Sequence, residues 1–295
     1  MNAEMLTKDL GGCWHGTYGI ACCPAHEDKN PSFSIRDGDG GNLLTHCFSG
    51  CSPEAVWAAL RDRGLVAQAA DRPRERHHRR RPQRPDKPTP EPSPNQDHAL
   101  DNWHSARPAP GTVTATYLRH RSITCAIPPT IRDHPGLKHG PTGQNLRAMV
   151  VAITGADRKV IAVQRTFLRV DGRGKANVSQ PKLTLGPMRD GAVRLGPAGL
   201  VLGIAEGVES GLSAMQLFVL PVWCSLSASR LDRLWLPPEA REVHIFGDNG
   251  TPGHEAAERA ARAYQAQGCQ VFLRFPPKDI GDWNDYLQDR KTEAA

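Results

Sequence analysis

The sequence predicts a small α+β module followed by a larger α/β body, and three observations predict it. Five of the eight cysteines fall within the first 51 residues. From Pro73 to Gln96 the chain has arginine and proline but no other apolar side chain. Roughly the last hundred residues alternate short apolar runs with helical patterns, which is the signature of a parallel sheet covered by helices.

Bulk properties narrow the class. A chain of 295 residues has room for two or three small domains. No run approaches the ~20 apolar residues of a membrane-spanning helix, and the N-terminus lacks the pattern of a secretory leader. A soluble, cytoplasmic protein without membrane partners is expected. Clustered cysteines favour a local metal site over a chain-wide disulfide framework. The net charge of +6 conceals a pattern. Residues 1–71 carry −4, residues 98–196 carry +10 from 15 basic and 5 acidic side chains, and residues 197–295 return to −4. A basic middle beside an acidic end points to a polyanion partner, with carboxylates gathered for a separate purpose.

In the first module, residues 1–70, Cys23-Pro24-Ala25-His26 is a Cys-x2-His pair and Cys47 to Cys51 is a Cys-x3-Cys pair. Two short chelating pairs suit a closed tetrahedral zinc site, which leaves no open position for chemistry and is therefore structural. In so small a module the metal supplies much of the folding energy. Pro31 to Ile35 alternates like a strand, Asp37 to Gly41 is turn chemistry, and Leu43 to His46 returns as a second strand. Ser52, Pro53 and Glu54 begin a helix as cap, first position and dipole partner. That helix turns Val56, Trp57 and Leu60 inward. Cys22 and His46 adjoin the chosen ligands, and Cys13 with His15 forms a rival pair. The x2 spacing to His26 favours Cys23, His46 falls on the opposite strand face from Cys47, and Cys-x-His is tight for chelation. The segments 23–34 and 46–51 resemble the Cys-His-Cys-Cys zinc module of bacterial and phage DNA primases, with one residue added to the second pair. The resemblance implies a zinc-ribbon-like module that helps hold a single-stranded template.

Residues 71–97 read as a disordered basic linker. They contain Arg79-Arg80-Arg81 and then a proline at nearly every second or third position. Such a stretch buries too little surface to offset its ordering entropy.

Residues 98–196 show strands at Met149–Ile153 and Val160–Gln164, with a turn at Asp157-Arg158. Alternation beyond Gln164 places Arg165, Phe167 and Arg169 on one face, a strip suited to phosphates and a stacked base. Arg165, Arg169, Lys175 and Lys182 are the expected contacts to nucleic acid or nucleotide. In order and pattern this segment resembles the basic subdomain of primases, and more closely a region found in Toprim proteins of phages and mobile elements.

In residues 197–295, Leu200–Ala205 is a buried-type strand ending at Glu206. Val208–Phe218 is a helix, Pro221–Cys224 a strand, and Glu242–Phe246 a strand ending before Asp248. Pro252–Gln267 is a helix and Gln270–Phe275 a strand, followed by Asp282 and Asp285. In parallel α/β sheets the working residues collect beyond the carboxyl ends of the strands, where Glu206, Asp248 and Asp282 all fall. Converging carboxylates need cations, and hard oxygen ligands suit Mg2+ or Mn2+. Glu206-Gly207-x-Glu209, then Asp248 to Gly253, then Gly281 to Leu287 resemble the three acidic motifs of the Toprim domain. The resemblance implies a parallel Rossmann-like sheet. Glu206, Asp248 and Asp282 become the catalytic residues, and Mg2+ is held by these three with Asp285 or Glu209. One departure is plain: Gly250 stands where the Toprim pattern has a second aspartate.

The expected function is a primase-type nucleotidyltransferase that makes short RNA primers on single-stranded DNA from nucleoside triphosphates. Gly250 keeps a second reading open, a single-stranded-DNA-binding replication or mobilisation factor of weak or no activity. A Toprim nuclease is the third. The sequence has no Gly-x4-Gly-Lys-Ser/Thr loop, so a replicative helicase is expected as a separate partner.

Overall fold

The computed structural model describes residues 2–14, 18–28, 31–37, 42–47, 51–66 and 94–293. The turn at 38–41, His15 and the linker as far as residue 93 lie outside the described residues. The chain divides into two compact units, 1–79 and 80–295.

The first unit begins with helix α1 (Ala3–Asp9), capped by Asn2, whose side chain accepts from the Met5 amide at 2.9 Å. Strands β1 (Cys13–Trp14), β2 (Gly19–Ala21), β3 (Phe33–Asp37) and β4 (Leu43–Cys47) form an antiparallel sheet in sequence order. Helix α2 (Pro53–Asp62) follows, with Ser52 accepting from the Ala55 amide at 3.3 Å, as its cap chemistry requires. The apolar sides of both helices meet one sheet face in a core of Leu6, Phe33, Ile35, Val56 and Leu60, with Trp57 packed at its margin. Gly19 permits the close approach of α1, because a Cβ there would overlap Thr7.

The second unit opens with α3 (Pro94–Ser105), β5 (Arg107–Pro108), α4 (Val113–His120), β6 (Ile131–Lys138), β7 (Asn145–Thr154), β8 (Val160–Phe167) and β9 (Lys182–Leu185). These five strands pair antiparallel in sequence order. The helix at Pro94 starts inside the segment read as linker. Proline is tolerated in a first helical turn, Asp97 complements its positive end, and Ala99 and Ala106 bury their side chains against the sheet.

The chain continues through β10 (Val193–Arg194), β11 (Val201–Ala205), α5 (Val208–Phe218), β12 (Val222–Cys224), β13 (Glu242–Phe246), α6 (Thr251–Gln265), β14 (Gln270–Arg274) and α7 (Trp283–Glu293). Here the sheet order is β10-β12-β11-β13-β14. All pairings are parallel except β10 with β12, so a parallel sheet carries one antiparallel edge strand.

The two sheets are bound by a common core. Met149, Val151 and Ile153 of β7 pack in the same buried cluster as Ala205, Val208, Leu212, Phe246 and Trp283. The other face of β7 and β8, with Val150, Val163 and Phe167, packs with Ala99 of α3. The segments expected as separate domains at 98–196 and 197–295 therefore lie in one compact unit. A fragment of residues 197–295 alone is expected to be insoluble or molten, with poor amide dispersion by NMR, because it exposes half of that core. A well-dispersed spectrum from the fragment would contradict the shared-core account.

Among the described residues, no helix is long and apolar enough to cross a membrane.

Candidate active site and metal centre

In the first unit, β2 and β4 bring the two cysteine pairs together. Cys47 ends β4 opposite Phe33, Cys23 follows β2, and Cys51 directly precedes the capped start of α2. The ligand atoms of Cys23, His26, Cys47 and Cys51 all lie within 4.8 Å of one another. His26 Nδ1 is 3.2 Å from Cys51 Sγ and 3.8 Å from Cys47 Sγ. A nitrogen and a sulfur on one tetrahedral zinc stand about 3.6 Å apart, from the usual bond lengths. Burial, with Cys47 and Cys51 alongside, pushes the Cys23 thiol up to about 12 against the opposing backbone hydrogen bond at Ala25. Thiols crowded in this way become thiolates only around a cation, and the donor set fits zinc.

One residue of this centre was not singled out in the sequence. Asp28 Oδ2 accepts from the Cys23 amide at 2.8 Å and the Ser32 hydroxyl at 2.6 Å, and lies 3.8 Å from His26 Nε2. It braces the knuckle and faces the imidazole nitrogen turned away from the sulfurs, the place of a ligand-orienting carboxylate. Its only sequence signal is its position two residues after His26.

The second site forms at the carboxyl edge of the parallel sheet. Glu206 follows β11, Asp248 follows β13 after Gly247, and Asp282 immediately precedes α7. Together with Lys175, Lys182, Arg121, Glu209 and Ser210 they line one cavity of about 150 Å³. Asp248 Oδ1 is buried with no hydrogen-bond partner. Burial first, then the charges of Asp282 and Glu206, push Asp248 up to about 7, and Lys182 pulls the other way. An orphaned buried carboxylate oxygen among acids is what a divalent cation satisfies, so the residues fit Mg2+ or Mn2+.

Two of the acids are locked together by the chain. Asp282 Oδ1 caps α7, accepting from the amides of Asn284 at 2.7 Å and Asp285 at 2.8 Å. Asn249 donates its amide nitrogen to the carbonyls of Pro276, Pro277 and Ile280 and its backbone N–H to Gly281. The loop that carries Asp248 is thereby clamped to the loop that carries Asp282. Asn249 stands inside the acidic motif, yet its clamping role has no sequence signal.

The remaining expected residues divide. Glu209 was expected as a cation ligand, but both its oxygens are occupied. Oε1 accepts from the Tyr117 hydroxyl at 2.7 Å, and Oε2 from Lys182 Nζ at 2.8 Å. Burial alone would raise its pKa, but Lys182, Lys175 and the Tyr117 hydrogen bond outweigh it and hold Glu209 near 2. Asp285 is half exposed, 3.8 Å from Arg121, and burial together with Asp282 raises it. Lys182 and Lys175 are at the acid cluster.

Arg165 is not with them. On β8 it shares the face of Val163 and Phe167, which packs with α3, whereas Lys182 pairs with Thr166 of the opposite alternation. Phe167 is fully buried, edge-on to His139, and cannot stack a base. Arg169 lies beyond the strand end and pairs with Asp171 at 2.9 Å. The expected basic and aromatic strip fails because α3, unread in the sequence, covers that face. Tyr117 and Arg121, which do reach the site from α4 and its C-cap, were not singled out: they meet Glu209 and Asp285 from about 90 and 160 residues away in sequence.

Carboxylates gathered at the carboxyl edge of a parallel sheet and faced by lysines are a donor set that fits a divalent cation. Residues 201–293 match the Toprim domain family, and the chain carries a Toprim domain. Residues 93–195 match a family described as a domain of unknown function, DUF7146. No curated protein sequence matches the chain. The structure is similar to the zinc-binding and RNA polymerase domains of the Aquifex aeolicus primase, at 14% identity over 99% of this chain and 80% of that one, with a TM-score of 0.49. It is also similar to a DNA primase domain from Pseudomonas aeruginosa, at 15% identity over 68% and 77%, TM-score 0.43. The primase fragment of the bacteriophage T7 primase-helicase protein is similar at 13% identity over 64% and 72%, TM-score 0.40.

Proposed function

We propose that the protein is a primase-type nucleotidyltransferase that joins ribonucleotides into short primers on single-stranded DNA. The observation that carries this reading is the single cavity in which Glu206, Asp248 and Asp282 meet Lys175 and Lys182, with Asp248 Oδ1 lacking any partner. Glu206, Asp248 and Asp282 hold Mg2+ or Mn2+, which supplies charge neutralisation at the phosphate under attack. Lys182 and Lys175 place positive charge where the triphosphate enters. Glu206 accepts a proton from the attacking hydroxyl or serves purely as a cation ligand. The Cys-His-Cys-Cys unit, folded around zinc, holds template.

The test is primer synthesis on mixed-sequence single-stranded DNA with labelled ribonucleotides and Mg2+ or Mn2+. Short RNA products are expected, and Glu206→Gln reduces them about a hundredfold or more. Intact DNA binding with no product under either cation would sink the catalytic reading.

A specific observation favours a second reading, a single-stranded-DNA-binding factor without turnover. Gly250 begins α6 with φ +100° and ψ 155°, a conformation side-chain-bearing residues rarely adopt, so the backbone is shaped against the aspartate of the Toprim pattern. That reading predicts DNA binding that needs no divalent cation and survives Glu206→Gln.

A further inference from the structure

Tyr117 and Glu209 stand beside the carboxylate cluster without joining it. Glu209 is the second residue of α5, 5% exposed, and its two oxygens are taken by a hydroxyl and an ammonium. Tyr117 is 1% exposed and comes from α4, in the part of the unit that precedes the Toprim domain. Lys182 reaches the same point from β9. Its charge also acts on Asp248, and it lines the cavity that holds Glu206, Asp248 and Asp282.

A lysine in that position is a rival for the cation. It is positive, it is tethered, and three carboxylates lie nearby, so its effective concentration at them is high. An ammonium lying across Asp248 would fill the seat that a divalent cation needs. In the structure Glu209 instead engages the ammonium at 2.8 Å. Its own freedom to swing is removed by burial and by the Tyr117 hydroxyl, which can only donate to an ionised partner here.

We propose that the Tyr117–Glu209 pair is a positioning device that draws the Lys182 ammonium aside from Glu206, Asp248 and Asp282, keeping the cation seat open and the ammonium directed to incoming phosphate. The proposal rests on the reading of those three acids as divalent-cation ligands. A merely structural ion pair would account for the same contacts, but it makes a different prediction when both partners are removed.

The test is Mn2+ binding to the full chain without nucleic acid, followed by the electron paramagnetic resonance of free Mn2+. Glu209→Gln is expected to weaken binding about tenfold or more, the range found when residues supporting a metal site are removed. Lys182→Met alone is expected to stay within about threefold of wild type, since the ammonium is already held aside. The double variant Glu209→Gln with Lys182→Met is expected to recover to within about threefold of wild type, because the released rival is gone. Double-variant binding as weak as Glu209→Gln would overturn the proposal, as would wild-type binding in Glu209→Gln. Should Glu209→Gln fail to fold, Lys182→Met decides: a tenfold change in either direction overturns it. Asp248→Asn separates the two readings. Mn2+ binding lost in Asp248→Asn but unchanged in Glu209→Gln overturns only the positioning role. A wild-type chain that binds no Mn2+ overturns the cation seat and the positioning role with it.

Discussion

Asp248→Asn is expected to raise the melting temperature of the metal-free protein at pH 8 by about 4–8 °C and, on the proposed function, to abolish primer synthesis. The cause is the same in both halves of that result. Asp248 is pushed from 3.8 to about 7, first by burial and then by Asp282 and Glu206. Its folded pKa thus lies above its unfolded one, so the native state binds the extra proton. The stability this contributes is fully present below about pH 4 and is lost as pH rises through about 7. Discounted for partial solvent screening, about 2 kcal/mol is at stake, which for a unit of this size is a shift of several degrees. Asparagine removes the penalty and the cation ligand together. With Mg2+ present the wild-type curve is expected to invert: the cation should stabilise strongly at pH 8, where Asp248 is ionised, and little at pH 5, where a proton holds the seat. Scanning calorimetry at both pH values, with EDTA and with Mg2+, reads all four conditions. A wild-type midpoint equally raised by Mg2+ at pH 5 and pH 8 would contradict the assignment.

Stripping the metal from the Cys-His-Cys-Cys centre is the other large effect. Structural zinc contributes on the order of 10 kcal/mol to small domains of this kind, more than the small core around Leu6, Phe33, Ile35, Val56 and Leu60 can replace. Treatment with a strong chelator, or Cys47→Ser, is expected to unfold the first unit while residues 94–293 keep theirs. Limited proteolysis with mass spectrometry separates the two: cleavage should spread through residues 2–66 and spare residues 94–293. Protection of β3 and β4 after verified metal loss would show that the core suffices alone.

The sequence was most legible where a local pattern sets the structure. Val208–Phe218 and Glu242–Phe246 were bounded as observed, because an apolar run followed by a glycine-bearing turn and an amphipathic stretch leaves few alternatives. Glu206, Asp248 and Asp282 were legible from the strand ends together with the resemblance of their three motifs to the Toprim pattern. The zinc group was readable because chelation is local in sequence. What escaped was non-local. Nothing near Glu209 says that Tyr117 lies against it, so a carboxylate in an acidic motif read as a cation ligand. Nothing in Arg165-Thr166-Phe167 says that a helix begun at Pro94 covers one of its faces. Alternation gives two faces of a strand but not which of them meets solvent.

The common core of the second unit has a consequence for the growing chain. Residues 131–167 leave the ribosome with Met149, Val151 and Ile153 lacking the partners that later bury them, and Trp283 of α7 arrives more than a hundred residues afterwards. Through that interval a strand-rich apolar face is open to chaperones or to other nascent chains. A chain halted before Asp282 remains in that state, and its Glu206 and Asp248 lack the third carboxylate. Cellular quality control therefore has a physical mark, the open apolar face, by which to recognise it.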